Sequence, residues 1–459
     1  MQRLSEDLPA IKQILKTDQI INIALRMLAC INKEITLHSI QTAYLAAEVA
    51  RQHPLNKRCS FDHLIFLALF HTLGFFREDL FFDYKPNINQ IDYFSTKKST
   101  ESKYVFACYY LEFMTPLKTE AIALETFVQP FNKEMNKYLY QQEYKDVIYL
   151  CARISDFIQK QSGKPLPKNL NELSPGYFNP VYVKAFKQAN QNNALIKEIK
   201  NNKYRKTLSA YIKKINFTEE ENRQLQKILV QFLDFKSTST MNHSINTASY
   251  AISLGMRVGL DSNELSTLFT SAFLHDIGKI AIPQRILEYP GRLSPKDMII
   301  MRHHVNHSRR ILNGFVSNEI LNAVYRHHEK LNGKGYPKKL KSKELSLAER
   351  ILTVADITSA LNDSRSYKGE FSKNKTISII GEMTKNGELA QNITKFILED
   401  FKSLLKEQNI FRNLLSVDFS KVINSYNNYV LNDAGQIADS IISDSEPIEF
   451  EELEELEEI

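Results

Sequence analysis

The sequence predicts an all-α protein, and three observations carry that prediction. Only 14 Gly and 14 Pro are spread over 459 residues. Polar and apolar residues recur at the helical period over long stretches, not as short alternating runs punctuated by turns. Hydrophobic residues make up 43% of the chain and charged residues 24%, which is enough apolar material for two or three globular cores and excludes wholesale disorder.

Composition also divides the chain. Residues 1–160 read as one helical unit. Pro, Gly, Asn and Ser then gather in 161–180 (QSGKPLPKNLNELSPGYFNP), the composition of a connector, so 161–224 is expected to be a linker and connecting helix. A dense segment, 225–405, follows, then a helical extension, 406–445. The acidic end, 446–459, is expected to be solvated and disordered. Its Phe450, Leu453, Leu456 and Ile459 recur every three residues, so a partner could induce an amphipathic helix there.

Several function classes fall away at this level. Cys30, Cys59, Cys108 and Cys151 stand far apart with no CxxC pair, which fits neither a disulfide framework nor a thiolate zinc site and points to a reducing, cytoplasmic setting. The most apolar stretch, Phe61 to Phe76, is shorter than the roughly 20 residues a membrane span needs. It also contains Asp62, His63 and His71, so it reads as a buried helix. The opening residues lack the apolar run of a signal peptide, and no membrane association is expected. Net charge is +6, but residues 444–459 hold nine acids and no Lys or Arg. The remainder therefore carries about +15, which suits an anionic ligand. The lysines are scattered and form no basic stripe, so a nucleic-acid polymer is not expected.

Histidine is the informative residue: seven of the eleven lie between 243 and 328. His243 opens a helix whose inner face is Ile245, Ala248 and Ile252. Leu265, Leu268, Phe269, Ala272 and Phe273 draw one buried helix face that runs into His275 and Asp276. Ser294, Pro295 and Asp297 form a helix start. Beyond it, at about 100° per residue, Met298, Met301, Val305, Ile311 and Leu312 define an apolar sector that includes His304. His303 and His307 fall to its edge and are expected in solvent, although their i, i+4 spacing also suits a metal. A helix capped by Ser317 or Asn318 and buried through Ile320, Leu321 and Val324 leads to His327 and His328. The loop HHEKLNGKGYP follows, with turn-forming Gly333, Gly335 and Pro337. Finally Ile351, Leu352, Val354 and Ala355 terminate in Asp356.

A carboxylate driven into an apolar core calls for a cation or a partner. Taken alone, His275 and Asp276 could simply hydrogen-bond and close a helix. Collected, His243, His275, Asp276, His304, His327, His328 and Asp356 are five imidazoles and two carboxylates on several helices. Nitrogen and oxygen donors without thiolate suit first-row divalent ions such as Mn, Fe, Ni or Zn. With one carboxylate bridging, seven ligands divide over two ions, whose chemistry is hydrolysis of phosphate esters. Lys279, just beyond the dyad, could hold a phosphate oxygen as a point charge.

These segments in this order, His243, LHDIGKIAIP (274–283), PGRLS (290–294), MRHHV (301–305), HHEKLNGKGYP (327–337) and ERILTVAD (349–356), resemble the HD-GYP domain of the HD phosphohydrolase superfamily. The resemblance covers roughly 225–405. It implies an all-helical fold, a metal centre of two or three ions, Fe or Mn foremost, and hydrolysis of cyclic di-GMP to pGpG or GMP. It further implies that the seven residues are metal ligands, that Asp276 bridges, and that Lys279 lies beside the scissile phosphate. LNDSRSYK (361–368) resembles the family's stretch after the last ligand, making Arg365 and Lys368 candidate phosphate contacts. Tyr336 and Pro337 would shape a loop associated with substrate and partner recognition, a diguanylate cyclase among the partners. Two positions depart from the pattern: Ser239 stands where some members have a Glu that binds a third metal, and Ser359 where a second Asp is frequent. Two ions are therefore expected rather than three.

The first half resembles an eroded copy, so the fold expected is two HD-type bundles in tandem. His38 with SIQTAYLAAEVA parallels His243 with SINTASYAISLG; LALFHTLG (67–74) parallels SAFLHDIG (271–278); ARISD (152–156) parallels the run ending at Asp356. The offsets are 205, 204 and 200 residues. Thr72 replaces the bridging Asp, and the paired histidines have no counterpart. His38, His71 and Asp156 could still hold one ion, but they are expected as satisfied core residues of a packing, regulatory or homodimerising domain. The leading functional reading is a metal-dependent cyclic di-GMP phosphodiesterase. An HD-type hydrolase of another nucleotide phosphate and a low-turnover nucleotide-binding scaffold stay open beside it.

Overall fold

The computed structural model describes residues 15–77, 97–134, 139–161, 164–235, 240–362, 373–415 and 421–429. Among them the protein is all-helical, as the composition predicts; the β structure there is an isolated bridge between Asn332 and Lys341.

The first half comprises α1 (Thr17–Ile31), α2 (Lys33–Gln52), α3 (Phe61–Phe70), α4 (Lys97–Met114) and α5 (Gln142–Lys160). Asn32 starts α2 by accepting hydrogen bonds from the backbone N–H groups of Glu34 and Ile35, both 3.0 Å. Helix α2 is the central post, packed against α3 and α5. The most apolar stretch of the chain is α3, buried without interruption from Leu64 to Phe70. Among the described residues no helix is long and apolar enough to cross a membrane.

The stretch with connector composition is itself packed. Leu170, Phe178, Tyr182 and Phe186 are buried. Helices α6 (Pro180–Ala189), α7 (Ala194–Lys200) and α8 (Tyr204–Ile212) follow, with α6 and α8 lying on α2. The Tyr44 hydroxyl donates to Glu198 of α7 at 2.7 Å.

The second half begins at α9 (Glu219–Gln231), where Thr218 and Glu221 form a capping box. It continues through α10 (Thr240–Val258), α11 (Ser262–Leu274), α12 (Pro295–Arg302), α13 (His304–Leu312), α14 (Asn318–Arg326), α15 (Leu347–Asn362), α16 (Lys373–Lys385) and α17 (Gln391–Leu415). Here α10 is the central post, against α11, α15 and α17. Ser294 caps α12 with Pro295 behind it, as expected, and Ser317 caps α14.

One expectation fails in this region. Met298 is 37% exposed and α12 buries no residue at all. Two helices meet at His303 instead of one running through, so the angular register counted from Met298 does not carry into α13.

The halves are not separate bodies: one buried apolar cluster runs through both. The Thr17 hydroxyl donates to Asn222 at 2.8 Å and accepts from the Phe217 N–H at 3.1 Å. Tyr110 donates to Gln231 at 2.9 Å. Helix α1 packs on α9, on α13 and on the 3-10 turn Ile277–Ala281.

Candidate metal centre

The seven residues singled out from the sequence converge. His275 follows the buried face of α11 and His327 follows that of α14, each closing its helix. His304 opens α13, His243 lies in the first turn of α10, and Asp356 lies within α15. Two groups of donors are compact enough for one ion each: His243, His275 and Asp276, and His304, His327 and His328. The carboxylate of Asp276 lies between them. Its Oδ2 is 3.2 Å from His275 Nε2 and 3.7 Å from His243 Nε2, while its Oδ1 is 3.4 Å from His304 Nε2 and 4.0 Å from His327 Nε2. Asp356 also faces both ways, with Oδ1 3.1 Å from His243 Nε2 and Oδ2 3.5 Å from His328 Nδ1. Of the three competing histidines, His304 is 1% exposed, His303 is exposed, and half-buried His307 pairs with Arg310 at 2.9 Å.

Backbone hydrogen bonds set which nitrogen is available. The Nδ1 atoms of His275, His304 and His327 lie 2.7, 2.8 and 2.7 Å from the carbonyl oxygens of Ala272, Met301 and Val324. A carbonyl can only accept, so each Nδ1 carries the hydrogen and each Nε2 keeps its lone pair for the centre. Burial depresses His304 to about 4 and His327 to about 3, and lowers His328 as well. Burial alone would raise the Asp276 carboxyl, but His275 and Lys279 outweigh it and hold it well below the ordinary range. For Asp356 the His243 hydrogen bond and the neighbouring His328 and His275 overcome burial in the same way. Burial that disfavours protonation of His304, His327 and His328, beside ionised carboxylates, gives the protonation states a divalent ion requires.

The residues fit such an ion. His275 Nε2 and Asp276 Oδ1 are buried and without a hydrogen-bond partner among the described residues, an arrangement that is costly unless a cation completes it. The ammonium of Lys279 is 2.5 Å from Asp276 Oδ2, with part of its side chain exposed. Gly278 allows the turn to lie flat on α13: a Cβ there would fall 2.1 Å from the His304 carbonyl oxygen and 2.3 Å from the Ser308 nitrogen.

The Tyr336 ring lies 4.7 Å from the His328 ring. Burial and the charges of Asp356 and Asp276 push its phenol far above the ordinary range. Arg365 and Lys368, the other candidate substrate contacts, lie outside the described residues, as do Ser239 and the acidic tail. Several contributors went unnoticed in the sequence. Buried Glu329 shapes the loop after His328 by accepting from the N–H groups of Lys338 and Leu340, at 2.5 and 2.9 Å. Ser308 accepts from the Gly278 N–H at 2.8 Å and donates to the His275 carbonyl at 3.0 Å; its place four residues after His304, on the same face, was the available signal. Thr353 donates to the His327 carbonyl at 2.9 Å. Arg302 lies 5.0 Å from the Tyr336 ring centre. In the sequence Ser359 reads only as a missing carboxylate, yet its hydroxyl is 3.1 Å from His243 Nδ1 and orients that ring.

The first half holds a different cluster at the corresponding place. His38 Nδ1 is 3.2 Å from Asp156, and His71 Nδ1 donates to the Ala68 carbonyl at 2.8 Å. Thr72, next to His71, shares a 2.6 Å hydrogen bond with Ser39. Around His71 stand the rings of Tyr104 and Phe127, at 6.1 and 5.6 Å. Arg153 is 3.4 Å from Asp156, so that carboxylate already has a cation.

Comparison with known proteins bears on family and fold. The HD domain family matches residues 217–391. The 3'3'-cGAMP-specific phosphodiesterase 1 of Vibrio cholerae is 30% identical over 182 residues, 39% of this chain and 42% of that protein. A cyclic di-GMP phosphodiesterase of Thermotoga maritima is 30% identical over 232 residues, 49% of this chain and 60% of that one. The chain spans between 34% and 52% of the length of the three V. cholerae cGAMP-specific phosphodiesterases it matches. The crystal structure of a cyclic GMP-AMP-specific phosphodiesterase from V. cholerae superposes with a TM-score of 0.51 over 86% of this chain and 98% of that one, at 17% identity, which establishes the shared fold. The HD domain match over 217–391, together with relatives that are cyclic dinucleotide phosphodiesterases, supports an HD-GYP protein of the HD superfamily.

Proposed function

We propose that this chain is a metal-dependent phosphodiesterase that opens a cyclic dinucleotide, with cyclic di-GMP as its substrate. The observation that carries this reading is the Asp276 carboxylate, whose two oxygens face two separate imidazole groups. Two divalent ions held there, Fe or Mn foremost and Ni or Zn also suited, would activate a water between them and offset charge building on the phosphoryl group. The chain's own residues do the rest. His243, His275, His304, His327 and His328 offer ring nitrogens, and Asp276 and Asp356 orient the two halves of the donor set. Lys279 offers its ammonium to a phosphate oxygen on the open side of Asp276. Tyr336, against His328, and Arg302 beyond it would contact a base or a second phosphate, and Arg365 and Lys368 are further candidate phosphate contacts. In hydrolysis, water oxygen bonds to phosphorus, the bond from phosphorus to the ribose oxygen breaks, and that oxygen leaves with a proton.

A second reading, 3'3'-cGAMP as substrate, is favoured by the names of three relatives and of the solved structure. A nucleotide-binding scaffold that engages a cyclase or a second copy of the chain is the non-enzymatic alternative. One experiment separates them: the full chain, loaded anaerobically with Mn or Fe, is incubated with cyclic di-GMP, 3'3'-cGAMP and cyclic di-AMP beside Asp276→Ala. Turnover of cyclic di-GMP, lost by at least about a thousandfold in the variant, supports the proposal, and pGpG or GMP shows how far hydrolysis runs. Preference for 3'3'-cGAMP moves the assignment to the second reading. Turnover equal to that of the variant, with metal bound, leaves the scaffold.

A further inference from the structure

We propose that Arg26, in α1 of the first half, is a positioning residue for the metal centre: it clamps one end of α13 and thereby holds His304, at the other end, against Asp276. The inference rests on the reading of the second half as a dinuclear centre. Arg26 Nη1 donates to three carbonyl oxygens at and just beyond the end of α13, those of Arg310 (3.1 Å), Ile311 (3.0 Å) and Asn313 (2.8 Å). Its guanidinium carbon also lies 4.3 Å from the centre of the Phe315 ring. The last carbonyls of a helix have no partner within it, and a cation there is favoured by the helix dipole. Arg26 supplies both the hydrogen bonds and the charge, from the other half of the protein.

The rest of α13 converts that clamp into ligand geometry. The helix is nine residues long, with His304 as its first residue. In its middle Ser308 ties it to the Gly278 N–H and the His275 carbonyl, next to Asp276. Gly278 has no Cβ to keep the turn off the His304 carbonyl. Helix α1 presses on α13 and on the 3-10 turn that follows Asp276. A rigid helix pinned at its middle and far end has little freedom at its near end. The 3.4 Å approach of His304 Nε2 to Asp276 Oδ1 is therefore set partly by a half that supplies no ligand to either donor group.

The test uses the full-length chain as wild type, Arg26→Ala, Arg26→Lys and, as control, Arg51→Ala. Arg51 is an exposed arginine of the same half that contacts Glu48 and Tyr211, away from α13. Each protein is loaded with Mn, freed of excess ion, and measured for ions per chain and for Mn affinity by calorimetry. Melting of the metal-free form is recorded in parallel. The expected result is two ions in wild type and Arg51→Ala, affinity about tenfold weaker in Arg26→Ala, and an intermediate value in Arg26→Lys. Wild-type stoichiometry and affinity in Arg26→Ala overturns the inference and leaves the dinuclear reading intact. A lowered melting temperature with unchanged affinity also overturns it, because the role is then only structural. If Arg26→Ala does not fold, Arg26→Lys decides alone, and wild-type affinity in it is the overturning result. A wild type that binds no metal removes the dinuclear reading and this inference together.

Discussion

His71 and His275 occupy matching places in the two halves, and what surrounds each differs in kind. Both follow a buried helix, and both donate Nδ1–H to the carbonyl three residues earlier, at 2.8 and 2.7 Å. Both are followed three residues later by a glycine, Gly74 or Gly278, whose Cβ would fall 2.1 Å from a backbone oxygen. Beyond that frame the chemistry diverges. Asp276 becomes Thr72, satisfied by Ser39, and His71 has Tyr104 and Phe127 about it where His275 has His327 at 4.9 Å. The helical frame, the backbone-bound histidine and the glycine contact serve packing in either half. The demand for a cation arises from Asp276 and the extra imidazoles, which have no counterpart in the first half, where Arg153 already meets the buried Asp156.

Substituting the paired glycines should break this comparison most sharply. Gly74→Ala and Gly278→Ala each overpack a backbone contact and should cost about 1–3 kcal/mol in denaturant titration. Gly278→Ala should also push α13 from Asp276 and lower metal content, whereas Gly74→Ala should leave it at the wild-type level. Loss of metal in both would show that the halves share the site.

A smaller effect is expected at the hydroxyls. Ser359→Ala frees the His243 ring and should weaken Mn affinity about 10- to 100-fold by calorimetry. Thr72→Ala removes only the hydrogen bond to Ser39 and should leave that affinity unchanged.

The pH response sharpens the comparison further. Burial holds His304 and His71 near 4 and His327 near 3, against about 6.5 in an unfolded chain. Between those values the unfolded state binds more protons, so the stability of the metal-free protein should fall as pH drops from about 6.5 towards 4. Denaturant midpoints at pH 6.5, 5.5 and 4.5 measure the slope. His71→Ala should remove only its own share, since His304 and His327 retain theirs.

The smallest effect concerns turnover in the first half. His38→Ala and His71→Ala should cost about 0.5–3 kcal/mol of stability and leave the steady-state rate unchanged. A lost rate with an intact fold would assign the first half a direct part in the chemistry.

Much of the centre was legible because buried helix faces run into its residues: the apolar faces of α11 and α14 lead to His275 and His327, and periodicity selects His304 over His303 and His307. The failures have physical causes. Met298 is exposed because a helix boundary at His303 resets the rotation, and periodicity cannot see a break between two helical segments. Glu329, Ser308 and Ser359 act through bonds to backbone or to a ligand's far nitrogen, which leave no periodic trace. Arg26 lies 284 residues from the first carbonyl it caps, a distance no local pattern bridges.

Because α11 and α14 each stop at a member of the donor set while α10 and α13 each begin beside one, negative and positive helix ends meet around two buried aspartates. The helix ends offset one another, and the charge left at the bare centre is that of the two carboxylates against Lys279. Ions held as proposed would turn that charge positive, so a phosphate-bearing ligand is expected to bind the metal-loaded chain more tightly than the metal-free one.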